Sequence, residues 1–108
     1  PPRRGYTGPM SIYAVEYVYA PGTESARDEH RAGHRSFLAG LGDGDSGASL
    51  VASGPYTDGS GALLLFAAPS EGLLGEVLTR DPFNARGLVS GLRITEWSPV
   101  TGELSHYA

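Results

Sequence analysis

An α+β domain in the order strand, helix, strand, strand, helix, strand is predicted by three observations. Segments rich in β-branched, aromatic and aliphatic residues at 11–19, 50–54, 61–67 and 88–97 read as strands. Two stretches with apolar side chains at the helical period, over about 26–41 and from Ser70 to Asp81, separate them. The halves also echo one another, because Tyr19-Ala20-Pro21 and Ala67-Ala68-Pro69 each lead from a strand into a helix. A chain of 108 residues holds one such domain, which at this size buries roughly two thirds of the surface its unfolded chain exposes.

The first strand, Ser11-Ile12-Tyr13-Ala14-Val15-Glu16-Tyr17-Val18-Tyr19, has apolar side chains on both faces, as a central strand should, and stops at Ala20-Pro21-Gly22. Thr23 or Ser25 caps the first helix, and Asp28 and Glu29 sit favourably in its first turn. Its inward positions are His30, His34, Phe37, Leu38 and Leu41. The Gly/Asp/Ser run over 42–49 is a loop, residues 55–60 are a turn, and the strands on either side of that turn form a hairpin. Ser70 caps the second helix, Leu73, Leu74, Val77 and Leu78 make its apolar face, and Asp81-Pro82 ends it. Residues 83–87 are a tight turn or a short helix before the last strand, which Ser98-Pro99 closes. This order is the ferredoxin-like split βαβ pattern with a four-stranded antiparallel sheet. The organisation is therefore a leader over 1–10, a domain over 11–99 and a polar tail over 100–108 that frays or reaches toward a partner.

Two helices cover only one face of such a sheet, yet the strands carry apolar residues on both. The bare face predicts a homodimer with sheets stacked face to face, burying the outward side chains of 12–18, 63–65 and the last strand. Trp97, at the end of that strand, is placed partly in this interface or within its own subunit.

Composition narrows the function. The net charge is −4 and all eight basic residues are Arg, with no basic cluster of the kind nucleic acid or an anionic membrane requires. No apolar run approaches the roughly 18 residues that span a bilayer, and the basic leader lacks the apolar segment of a signal peptide. The absence of cysteine removes disulfides, thiolate catalysis and Cys-ligated zinc, and suits a cytoplasmic setting.

Little in the chain can do chemistry, which concentrates attention on Arg31-Ala32-Gly33-His34 in the first helix and Arg80-Asp81-Pro82-Phe83 after the second. His34 falls on the core-facing stripe, where it is either a core histidine bonded to a carbonyl or a general acid/base. Arg27 and Arg31, on an adjoining stripe, either pair with Asp28, Glu24 or solvent or anchor an anionic substrate beside the imidazole. Asp81 reads as the N-cap of a short helix that opens with Pro82, and its second oxygen is free to orient an imidazole. Gly54 permits close backbone approach by a ligand, and Tyr56 is expected to wall the pocket. His30 and His34 have the i, i+4 spacing of a metal pair but no third ligand, so no metal is expected, nor any organic cofactor. Gly44-Asp45-Ser46-Gly47 mimics a serine-protease loop without the framework of one. His106 is read as solvent-exposed.

Arg31-x-x-His34, Val51-Ala52-Ser53-Gly54-Pro55 with Asp58-Gly59, and Asp81-Pro82-Phe83 followed by Gly87 resemble, in order and spacing, the YciI-like (YCII-related) family over residues 11–99. The resemblance implies a dimeric α/β barrel of ferredoxin-like protomers, related to muconolactone isomerases, with a His/Asp site. Carried over, the family's histidine is His34, its aspartate Asp81, and its Gly-Pro turn Gly54-Pro55. One relative type is a dehydrochlorinase acting on a chlorinated hydroxyquinol. The run over 42–49 departs from the family pattern. The function this implies is a cofactor-independent lyase or isomerase for a small anionic or phenolic molecule, with a non-catalytic ligand-binding or accessory module as the alternative.

Overall fold

A computed structural model describes residues 10–41 and 46–108; the expected leader, apart from Met10, and residues 42–45 of the expected loop lie outside them. The elements are β1 (Ser11–Tyr19), α1 (Glu24–Gly40), β2 (Ser49–Pro55), β3 (Gly61–Ala68), α2 (Glu71–Leu78), α3 (Pro82–Ala85) and β4 (Val89–Trp97). Every strand pairing is antiparallel and the order across the sheet is β2-β3-β1-β4. The fold is thus α+β and ferredoxin-like, as the sequence predicts, with β1 and β3 central.

Cross-strand partners decide what faces the helices. Tyr13, Val15 and Tyr17 of β1 stand opposite Phe66, Leu64 and Ala62 of β3, and these side chains form the core with Leu74, Val77 and Leu78 of α2 and Phe83 of α3. The two central strands approach closely at one end. A Cβ on Gly61 would lie 1.8 Å from the Tyr17 carbonyl oxygen, so only glycine fits there. On the opposite face Val18, Leu63 and Trp97 remain substantially exposed.

Several local expectations are corrected. Helix α1 begins at Glu24, two residues early, because the Arg27 amide already bonds to the Thr23 carbonyl at 2.8 Å. Thr23 is its N-cap residue, but the hydroxyl does not cap; it donates to the Ala20 carbonyl at 2.6 Å instead. The buried positions of α1 include Arg27 and Leu38, whereas His30, expected inward, is only half-buried and takes no part in the core. Strand β2 starts at Ser49 and ends at Pro55, and its register with β3 slips between Leu50 and Ala52. The tail over 100–108 is largely exposed and carries a 3₁₀ turn over Ser105–Tyr107, with His106 exposed as expected. Ser70 caps α2 through a 3.1 Å bond from the Leu73 amide. No helix among the described residues is long and apolar enough to cross a membrane.

Candidate active site

Local rules set how His34 and Asp81 are each presented, and the packing of α1 on the turn that opens α3 brings them together. On α1, His34 lies two turns after Arg27 and one before Leu38, so all three share the stripe turned toward the rest of the domain. Asp81 ends the segment after α2 and opens α3, with its backbone extended (φ −63°, ψ 125°) and Pro82 in the first helical position. Its Oδ1 accepts the Phe83 amide hydrogen at 3.0 Å, an N-cap bond that fixes the carboxylate's direction. Helix α1 packs on this turn closely enough that Gly33 meets Pro82, where a Cβ would be 3.4 Å from the ring.

The His34 Nδ1 is 2.8 Å from Oδ1 and 2.9 Å from Oδ2 of Asp81. The carboxylate is fully buried, and the His34 side chain is 13 % exposed. An ionised carboxylate only accepts, so the hydrogen sits on Nδ1 and Nε2, on the far edge of the ring, is the basic nitrogen of the neutral imidazole. Phe83 lies flat against the same ring, with centroids 4.1 Å apart and planes 4° from parallel. Two constraints hold the imidazole: the carboxylate sets its edge, and the phenyl ring sets its plane.

Asp81 has a further partner. The Tyr17 hydroxyl donates to Oδ2 at 2.8 Å, and Asn84 Nδ2 donates both to the Tyr17 oxygen and to the Leu78 carbonyl, each at 2.9 Å. Burial, and then the neighbouring Asp81 charge, push the Tyr17 phenol well above its ordinary value of 10.0. It stays protonated and serves Asp81 as a donor. A buried carboxylate that accepts from an imidazole, a phenol and a backbone amide has its lone pairs satisfied, which is the condition for keeping a charge inside a small domain.

His34 forms part of the wall of a cleft of about 550 Å³ between α1 and the β2–β3 hairpin. Arg27, Arg31 and Arg35 line the α1 side, and Gly54 and Pro55 the hairpin side. Of the residues expected to bind a ligand, Arg27, Arg31, Gly54 and Pro55 are therefore brought together around the imidazole. Tyr56 is not. It projects on the other face of the sheet, where its hydroxyl donates to Glu16 Oε1 at 3.1 Å, because Pro55 pairs with the inward Ala62 and the next side chain alternates outward. Arg31 also makes the local pair foreseen as its alternative, with Asp28, the two side chains being 41 % and 69 % exposed. Surface pairs of this kind are weak, worth roughly 0–1 kcal/mol, so Arg31 is easily redirected. Among the described residues no three His, Cys, Asp or Glu side chains gather in a way that would hold a metal.

A family model described as the YCII-related domain matches residues 11–98. The chain belongs to the YCII-related family. Solved structures share the fold of this YCII-related domain. One is the 5-chloro-2-hydroxyhydroquinone dehydrochlorinase TftG from Burkholderia phenoliruptrix AC1100 in complex with 2,5-dihydroxybenzoquinone, at TM-score 0.69 and 21 % identity, covering 80 % of this chain and 92 % of that one. A second, a putative antibiotic biosynthesis monooxygenase from Bacteroides thetaiotaomicron, matches at TM-score 0.60 and 12 % identity over 89 % of this chain and 94 % of its own. A third, Rv0793 from Mycobacterium tuberculosis, matches at TM-score 0.55 and 18 % identity over 87 % and 98 %. No curated protein shows a significant sequence match. Identities this low establish a common fold.

Within the YCII-related domain, sequence reasoning missed Tyr17, Asn84, Phe83 and Arg35 as members of the site. Tyr17 shares the inward parity of Val15, and a phenol there needs a buried partner. That was the available signal. Phe83 and Asn84 adjoin Asp81, but nothing local tells a capping turn from one that also floors an imidazole.

Proposed function

We propose that this YCII-related domain is a lyase or isomerase that moves a proton on a small molecule, with His34 as general acid/base, Asp81 as its orienting partner, and no cofactor. The observation that carries the reading is the imidazole held at Nδ1 by both oxygens of a buried carboxylate while the ring faces a cleft. One base serves either reaction. In an elimination it takes a C–H or O–H proton as the leaving group departs with its electron pair; in an isomerisation it returns the proton to a different carbon. The dehydrochlorinase named for TftG is an elimination on the same fold, which supports the first of these. Gly54 and Pro55 give the substrate a hairpin wall facing the arginines of α1.

Asp81→Asn tests the pairing, because an amide still caps α3 yet cannot stabilise an imidazolium. Small phenols, lactones and unsaturated acids incubated in deuterated buffer and followed by NMR should show turnover or deuterium uptake with the wild-type protein. The variant should lose roughly 10²–10⁴-fold of that rate. Full activity in a folded Asp81→Asn protein would remove the dyad, and a ligand bound without conversion or exchange would make the domain a binding module.

The proposed working form is a homodimer in the cytoplasm, its sheets stacked through the outer face that bears Val18, Leu63 and Trp97. Stable interfaces of this type bury roughly 1,200–2,000 Å². Light scattering at low micromolar concentration should give twice the 11.3 kDa chain mass. A folded monomer under those conditions would leave the sheet face without its partner and refute the dimer.

A further inference from the structure

Proton transfer by His34 does not account for Arg27. This side chain is 7 % exposed, lines the cleft, and lies with its guanidinium carbon 4.1 Å above the centre of the Tyr19 ring. Its Nη1 donates to Thr23 Oγ1. Its Nε is buried with no hydrogen-bond partner, and no carboxylate among the described residues pairs with it. A guanidinium remains charged at every pH a protein meets. A π face and a hydroxyl are dipoles rather than counter-ions, so a buried cation is left waiting for an anion.

The surroundings describe that anion. Arg31 and Arg35 follow Arg27 at one-turn intervals along the same cleft, and no Asp or Glu among the described residues lines it. Leu38, Ala62 and Leu64 supply apolar wall beside the arginines. Arg27 and His34 stand two helical turns apart, roughly 10 Å along the axis, so a ligand that reaches both is elongated rather than compact.

We infer that the cleft takes a small carboxylate on a flat apolar body. The carboxylate lies on Arg27, with Arg31 swung over from Asp28, and the body lies against Leu38 and Leu64 so that its far end meets His34. This rests on the His34 cleft being the substrate site and adds the class of molecule it holds. Charge-assisted, forked contacts from guanidinium to carboxylate are the strong ones, and they explain why the cation is kept buried and only partly satisfied.

Titration calorimetry with benzoate, its neutral counterpart benzamide, and inorganic phosphate tests the inference without any turnover assay. Benzoate should bind the wild-type protein at least about tenfold more tightly than either of the others. Arg27→Met, which keeps an unbranched side chain over Tyr19, should weaken benzoate by about tenfold, and Arg31→Met, at a half-buried position outside the core, should weaken it in the same direction. The second variant decides the matter if the first fails to fold. Equal binding of benzoate and benzamide, phosphate binding as tightly as benzoate, or undiminished benzoate binding in the arginine variants would overturn the proposal. The two readings fail separately. Carboxylate binding without turnover leaves this site standing and removes the acid/base assignment, whereas turnover with no preference for carboxylates does the reverse.

Discussion

Replacing His34 by alanine should lower turnover by roughly 10²–10⁴-fold, the usual worth of a positioned general acid/base, while the domain stays folded. The side chain is mostly covered but is not part of the central core, which runs from Tyr13, Val15 and Tyr17 to Leu74, Leu78 and Phe83. With the imidazole gone, Asp81 retains the Tyr17 hydroxyl and the Phe83 amide as donors, so its charge is not stranded. His34→Asn sharpens the comparison. An asparagine amide can donate to Asp81 from near the Nδ1 position, but it has no basic nitrogen where Nε2 stands. Both variants should be comparably inactive, with the asparagine variant the more stable in urea. Activity retained by either one in a folded state would show that the imidazole does not carry the proton.

The largest expected change in stability comes from Phe83→Ala, at about 3–5 kcal/mol. Phe83 is 2 % exposed, stands edge-on to Tyr19 with centroids 6.1 Å apart, and stacks flat on His34. Its loss opens a cavity that the α3 turn cannot close, because Asp81 and Asn84 pin that turn to Tyr17 and to the Leu78 carbonyl. Domains of this size are stable by only about 5–15 kcal/mol, so the urea midpoint should fall steeply with little change in slope. The same substitution frees the imidazole plane, and the surviving folded fraction should turn over more slowly than its concentration predicts. Phe83→Leu should recover much of the stability and little of the rate, since it restores volume but not a flat surface. A stability loss below 1 kcal/mol would mean that the stacked rings are not part of the core.

Much of this was legible because it is local. The apolar runs of β1 and β3, Ser70 before Leu73, and the Asp81-Pro82 step each act through neighbours within a few residues, so side-chain period and turn chemistry suffice to read them. His34 was legible for the same reason, as an imidazole at a core-facing helical position. Arg27 shows where charge misleads: the helical period puts it on the stripe of His34 and Leu38, but as a cation it read as lying beside that stripe, whereas its long side chain is buried over Tyr19. Tyr56 shows what pairing decides: Pro55 stands opposite the inward Ala62, so alternation turns the next side chain to the other face of the sheet, away from the cleft.

The sequence by itself determined the element order, the ferredoxin-like arrangement, and the two residues that could do chemistry. Tertiary structure alone decided that those two meet, 47 positions apart, with Tyr17 and Asn84 behind the carboxylate and Phe83 beneath the ring. It also decided which arginines share the cleft. Periodicity reports which way a side chain points, but the distance between two side chains on different elements depends on how those elements pack. Here that packing rests on the Gly33–Pro82 contact between α1 and the α3 turn and on β1 lying beside β3, and neither is encoded in any short stretch of chain.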